Sequence, residues 1–309
     1  MAARFDPGLA EFIRIHEAAP MDSSTPLDVM RAKYTALARC FDQPQSPNVR
    51  AEDVTLAGPA ATVPARIYRP CAGRLPVVMY FHGGGFMLGS PDAFDSLTAD
   101  LAADIDAVVV SVDYRLTPEH RFPAAFDDSL QAVRAIAARA DELDLDLARL
   151  VLAGDSSGGN LAAAVAIALR DSGDVAVRGQ VLIYPMLGID FDTESCRQHA
   201  DAPMLKRATA MALAGLYFPH GKENADWRVA PLMADRLEDL PPAFITVAET
   251  DPLRDDGILY ATRLAEAGVP CVLSRATGLV HSWLRARGMS TAAGNEYRRI
   301  VREMRAMVE

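Results

Sequence analysis

The segment Gly154-Asp155-Ser156-Ser157-Gly158-Gly159-Asn160 sets a serine hydroxyl between glycines, after the apolar run Leu150–Ala153 and before a helical pattern over Gly159–Arg170. A serine that attacks a carbonyl has to stand on a sharp strand-to-helix turn, where the crowded backbone leaves no room for flanking Cβ atoms. Gly154 and Gly158 meet that demand. A helix opening at Ser157 turns its free N–H groups toward the same point and favours an oxyanion developing there. The chemistry is nucleophilic acyl transfer, with Ser156 as nucleophile.

A second signal is Phe81-His82-Gly83-Gly84-Gly85-Phe86, directly after the apolar run Val77–Phe81. Consecutive glycines let backbone approach a ligand and aim N–H groups at it, as an oxyanion hole requires of the loop opposite the nucleophile. Gly83, Gly84, Gly85 and Ser157 are the candidate donors. A phosphate cradle competes, but the run has no Gly-Lys-Ser/Thr ending and its spacing is not Gly-x-Gly-x-x-Gly. His82, at a strand end, reads as a hydrogen-bonded turn residue.

Base and acid should follow the serine in the order acid then histidine, each in the loop after a later strand. The run Phe244–Ala248 ends in Glu249-Thr250-Asp251-Pro252-Leu253-Arg254-Asp255, and Cys271–Arg275 is followed by Gly278-Leu279-Val280-His281-Ser282-Trp283. Asp251 lies just past its strand, with Pro252 stiffening the turn. Glu249 is nearer the strand, and Asp255 and Asp256 read as first-turn helix residues favoured by the dipole. His281 is the histidine that chain order selects; His16, His120, His199 and His220 fall in connecting or lid segments.

These residues need a scaffold that carries loops at one end of a sheet. Short β-rich runs at Asp53–Ala57, Ala65–Arg69, Val77–Phe81, Ala107–Val112, Leu150–Ala153, Gly179–Tyr184, Phe244–Ala248 and Cys271–Arg275 alternate with helical patterns at Phe94–Asp104, Ala124–Ala140, Gly159–Arg170, Asp256–Ala267 and Ala292–Met307. That alternation predicts an α/β fold with a mostly parallel sheet flanked by helices. Two helical stretches break the rhythm, Phe5–Phe41, interrupted by Pro20 and Pro26, and Asp190–His220. An insertion after Gly179–Tyr184 leaves from the ligand-binding end of such a sheet, so both stretches read as a lid.

The chain has 309 residues, half of them apolar, which suits one large core with an insertion. A formal charge of −10 argues against nucleic acid as partner, since that affinity rests on Lys and Arg. Cys40, Cys71, Cys196 and Cys271 form no Cys-x-x-Cys pair and have no histidine at ligand spacing, so neither a metal site nor a disulfide framework is expected. The first ten residues lack a signal-peptide apolar run, and no run of 18 apolar residues follows. The expectation is a cytoplasmic protein with no stable membrane association.

Taken together, these motifs resemble the hormone-sensitive-lipase-like branch of the α/β-hydrolase esterases, a bacterial lipolytic family with His-Gly-Gly-Gly upstream of Gly-Asp-Ser-x-Gly-Gly. The segment Asp113-Tyr114-Arg115-Leu116-Thr117-Pro118-Glu119-His120-Arg121-Phe122-Pro123-Ala124-Ala125 is similar to the family's stretch after its fourth strand, and Leu240-Pro241-Pro242-Ala243 with Asp251-Pro252-Leu253-Arg254-Asp255 is similar to its acid-bearing region. The resemblance implies an α/β-hydrolase fold with an eight-stranded sheet, cap helices over residues 1–48, a catalytic domain over 49–309 and a cap insertion near 188–222. It implies a serine carboxylesterase acting on small acyl esters without a cofactor, with oxyanion donors chiefly at Gly84, joined by Gly83 or Gly85, and at Ser157. It makes a homodimer plausible and gives Glu119, Arg115 and Asp127 the role of bracing the glycine loop. Ser157 replaces the family's usual Ala, and Ser282-Trp283 the usual Gly-Phe, differences that bear on pocket shape and leave the chemistry intact. An amidase, lactonase or metabolite deacetylase would use the same triad, and a non-catalytic relative would have lost part of it.

Overall fold

Runs of Val, Ile and Leu bounded by turn residues form the middle of an eight-stranded sheet in the computed structural model, which describes residues 5–19, 25–44, 46–58, 62–221 and 224–309. The strands are β1 (Arg50–Leu56), β2 (Val63–Arg69), β3 (Leu75–Phe81), β4 (Val108–Val112), β5 (Leu145–Asp155), β6 (Gly179–Ile183), β7 (Ala243–Thr250) and β8 (Cys271–Val280), in the spatial order β1-β2-β4-β3-β5-β6-β7-β8. β2 pairs antiparallel with β1 and β4, and all other pairings are parallel. In β3, Val77, Met79 and Phe81 face one buried layer while Val78 and Tyr80 face the other, so a central strand must be apolar on both sides.

The described helices are α1 (Pro7–Glu17), α2 (Leu27–Arg39), α3 (Pro91–Ile105), α4 (Ala124–Ala138), α5 (Ser157–Ser172), α6 (Glu194–Gln198), α7 (Arg207–Tyr217), α8 (Arg254–Glu266) and α9 (Thr291–Val308). α4, α5 and α8 cover one face, α3 and α9 the other. α3 begins ahead of the expected Phe94 because its first turn carries little apolar signal; Ser90 caps it through the Ala93 N–H and Pro91 occupies its first turn. Pro20, the expected break between α1 and α2, lies outside the described residues, as do the first residues of the expected N-terminal cap segment and the last of the insertion.

α1 docks on the layer formed by α3 and α9. Leu9, Phe12 and Ile13 are buried there, Phe12 meets Phe41, and the Asp6 carboxylate binds Ser290 and Ala292 at the start of α9. α2 and α7 are the elements of the two expected lid stretches whose side chains reach the glycine loop.

Strand β8 runs to Val280, beyond the expected Arg275. Ala248 pairs with Ala276, but Thr250 pairs with Val280, so β8 carries extra residues in a bulge where Gly278 has φ 71°. The Glu249 carboxylate accepts the Gly278 N–H at 2.7 Å and fastens the bulge. With Thr250 opposite Val280, the residues that follow, Asp251 and His281, emerge side by side.

Candidate active site

Ser156 sits between β5 and α5 with φ 54° and ψ −118°, left-handed backbone that costs a non-glycine residue on the order of 1–3 kcal/mol. The surroundings hold it there. Its N–H donates to the Ile183 carbonyl at 2.9 Å, and a Cβ on Gly158 would stand 1.9 Å from the Phe81 carbonyl oxygen. The turn can therefore close against β3 only with glycine at 158.

His281 lies across from this hydroxyl. Its Nε2 is 2.9 Å from Ser156 Oγ and its Nδ1 is 2.7 Å from Asp251 Oδ2. Asp251 is fully buried and its second oxygen accepts the Leu253 N–H at 2.8 Å. An imidazole oriented this way can take the serine proton at Nε2 while the carboxylate fixes the Nδ1–H tautomer. The Tyr184 ring packs on His281 at 4.9 Å between centroids.

The glycine run places its amides unequally. The Gly83 N–H donates to Asp155 Oδ1 at 2.8 Å, so its single hydrogen is committed to the protein and Gly83 leaves the expected set of oxyanion donors. Among the described residues no acceptor meets the amides of Gly84, Gly85 or Ser157. Gly84 adopts φ 136° and a Cβ there would meet the Leu88 carbonyl oxygen at 2.0 Å, so the loop curls back on itself only because that position lacks a side chain. Leu213 of α7 rests on Gly85, and Tyr217 stacks on Phe86 at 3.7 Å.

Asp155 has a role that its position in the motif does not by itself assign. Besides the Gly83 N–H, its buried carboxylate accepts the Tyr80 hydroxyl at 2.9 Å, joining the Ser156 turn to the glycine loop. Burial raises its pKa despite the pull of nearby Arg285. Its place beside Ser156, inside a motif with little tolerance for bulk, is the signal the sequence offers. His82 is buried and stacks on Tyr114 at 4.4 Å, with Nδ1 3.0 Å from the Gly83 carbonyl. Burial lowers its pKa to about 4 and keeps the ring neutral.

The expected brace differs in its partners. Arg115 forks onto Asp128, Nη2 to Oδ1 at 2.7 Å and Nε to Oδ2 at 2.8 Å, where Asp127 was expected. Asp128 falls on the buried phase of α4 with Ala125, Ser129 and Ala132, whereas Asp127 points off it. Glu119 binds Arg31 of α2.

Asp256 is also more than a first-turn charge. Buried in α8, its Oδ2 accepts the N–H groups of Leu187 and Gly188 at 2.9 and 2.8 Å, where the insertion leaves the sheet. Burial, reinforced by the charges of Asp251 and Asp255, raises its pKa from 3.8 to about 7. A carboxyl raised by folding contributes stability that is full below its unfolded value and lost as pH rises through its folded value. From 3.8 to about 7 corresponds to on the order of 4 kcal/mol. Between pH 5 and pH 8 the melting temperature of the wild type should therefore fall by several degrees relative to Asp256→Asn, whose amide oxygen still accepts. Parallel curves in a pH series of thermal melts would sink this linkage.

Among the described residues no group of His, Cys, Asp and Glu is arranged to hold a metal ion, and no helix is long and apolar enough to cross a membrane. All four cysteines are free thiols.

A family model described as alpha/beta hydrolase fold matches residues 78–285. The chain is 40% identical over 288 residues to the esterase LipI of Mycobacterium tuberculosis, covering 91% of this chain and 89% of that one. It is 44% identical over 246 residues to the carboxylesterase NlhH of the same organism, covering 77% and 76%. The crystal structure of a thermostable esterase from Pseudomonas putida superposes with a TM-score of 0.93 at 29% identity, covering 100% of this chain and 99% of that one.

Proposed function

Since the chain belongs to the alpha/beta hydrolase fold family, in its hormone-sensitive-lipase-like branch, and is a carboxylic ester hydrolase, we propose that Ser156, His281 and Asp251 perform the hydrolysis. The observation that carries this reading is the unbroken relay from Asp251 Oδ2 through both imidazole nitrogens to Ser156 Oγ. His281 takes the serine proton as Oγ attacks the ester carbonyl, and returns it to the leaving alcohol. An acyl-enzyme is left, and water activated by the same imidazole releases the acid. Amides of Gly84, Gly85 and Ser157 receive the oxyanion in both steps, each donor contributing on the order of 3 kcal/mol.

The substrates proposed are small esters of short to medium acyl chain. α2 and the insertion from 188 to 222 act as the cap, and apolar side chains including Met30, Leu213 and Leu216 limit pocket length. Each buried methylene adds about 0.8 kcal/mol while it fits, and a clash follows once it does not. Across p-nitrophenyl esters, kcat/KM should rise with acyl length and then collapse within roughly two to eight carbons, the turning point measuring the pocket. Deleting Met1–Asp42 should lower activity and selectivity together. A profile still rising at sixteen carbons, or an equally active and selective truncation, would remove the cap from the reading. The reading includes a cytoplasmic setting and, through the family resemblance, a homodimer, which light scattering on the purified chain tests.

A further inference from the structure

Gly84, Gly85 and Phe86 follow one another with φ of 136°, 62° and 60°, a run of left-handed backbone that cannot hold itself through side-chain packing at the glycines. Hydrogen bonds to its carbonyls hold it. The Gly84 carbonyl accepts the N–H groups of Met87 and Leu88 at 3.2 and 3.0 Å, and the Phe86 carbonyl accepts the Thr117 N–H at 2.8 Å. The Met87 carbonyl accepts from outside the sheet domain: Arg31 Nε, on α2, donates to it at 3.0 Å.

The same guanidinium donates through Nη2 to the Thr117 carbonyl at 3.0 Å, and through Nη1 and Nη2 to the two Glu119 oxygens at 2.7 and 2.8 Å. It therefore bolts together the loop after β3, the loop after β4 and α2. The ion pair alone is a weak reason for this arrangement, because Arg31 and Glu119 side chains are 30% and 47% exposed and such pairs contribute about 1 kcal/mol or less. What the pair does is fix the plane of the guanidinium, so that its remaining donors reach two backbone carbonyls at once. A lysine ammonium has no such fork.

We propose that Arg31 is a positioning residue for the oxyanion loop, so that α2 sets the direction of the Gly84 and Gly85 amides in addition to any role as cover. The proposal rests on the esterase reading above. Misaligned donors weaken binding of the oxyanion while leaving ground-state binding of the ester largely intact, so the loss falls on kcat and spares KM.

The test compares wild type, Arg31→Met, Arg31→Lys and Glu119→Gln, with Arg14→Gln as a control at the exposed Arg14–Glu11 pair of α1. Active sites are counted by stoichiometric release on reaction with a p-nitrophenyl phosphonate, and turnover of a p-nitrophenyl ester and its thiono analogue is expressed per site. Sulfur accepts hydrogen bonds poorly, so a working oxyanion hole favours the oxygen ester. For Arg31→Met, kcat per site should fall about tenfold or more with KM within about twofold, and the oxo-to-thiono preference should fall by a similar factor. Arg31→Lys and Glu119→Gln should lie between, and Arg14→Gln should match wild type. If Arg31→Met does not fold, the preference ratio of Arg31→Lys decides. Unchanged turnover per site, or equal losses on both esters, would overturn the role of Arg31 while wild-type hydrolysis leaves the esterase reading standing. A wild type that neither hydrolyses the ester nor takes up the phosphonate would instead sink that reading.

Discussion

Ser156→Ala should lower kcat/KM for a short p-nitrophenyl ester by about 10⁵- to 10⁶-fold and abolish labelling by a phosphonate, with the thermal melt little changed. The expectation is this large because His281 Nε2 faces the Ser156 hydroxyl at 2.9 Å, and removing that oxygen leaves only the weak catalysis of the oxyanion donors and binding. Ser157→Ala is the matched comparison. The proposed role of Ser157 rests on its amide, and the enclosed hydroxyl, 1% exposed with its residue, lies outside the Asp251–His281–Ser156 chain, so activity should stay within about threefold. Steady-state kinetics on the two purified variants check both statements. Exchanged phenotypes would move the nucleophile to the neighbouring residue.

The second large effect belongs to the acid. Asp251→Asn should reduce kcat by about 10⁴-fold, because an amide at this position stabilises the wrong imidazole tautomer while occupying the same space. Glu249, the nearest rival carboxylate, serves the β8 bulge through Gly278, so Glu249→Gln, which keeps an acceptor oxygen, should cost no more than a few-fold. A larger loss in Glu249→Gln than in Asp251→Asn would reverse the assignment. The pair separates support of the loop from support of the base.

How much of this is legible in the sequence follows from the range of each interaction. The eight strands and the turn bearing Ser156 are encoded locally, in apolar runs and in glycines that a Cβ would disrupt, and each strand overlaps its expected run, although β5 begins at Leu145 and β8 continues to Val280. The proximity of Asp251 and His281 was inferable from chain order, while the reason for it, a bulge that brings Thr250 opposite Val280, depends on pairing between strands. Gly83 reads as an open amide in the sequence because its acceptor, Asp155, stands 72 residues away. Arg31 gave no sign at all, since its partner Glu119 is 88 residues distant and a lone arginine in a helix usually meets solvent. Asp128 was within reach, because the buried phase of α4 distinguishes it from Asp127.

The contacts around the turn that carries Asp251 bear on how the segment after β6 could be exchanged between proteins. Asp256 holds Leu187 and Gly188, Asp255 exchanges two hydrogen bonds with Ser195, and the Pro252 carbonyl accepts the Ser195 hydroxyl, all within a few residues of Asp251. The insertion and the acid-bearing turn are thus one mechanical body contributed by two distant parts of the chain. A chimera built by cutting at the insertion's two ends would import a foreign surface onto these carboxylates and shift the acid it was meant to leave alone. The unit to recombine here is the segment after β6 together with residues 251–256, since varying the two jointly keeps the imidazole coupled to its carboxylate.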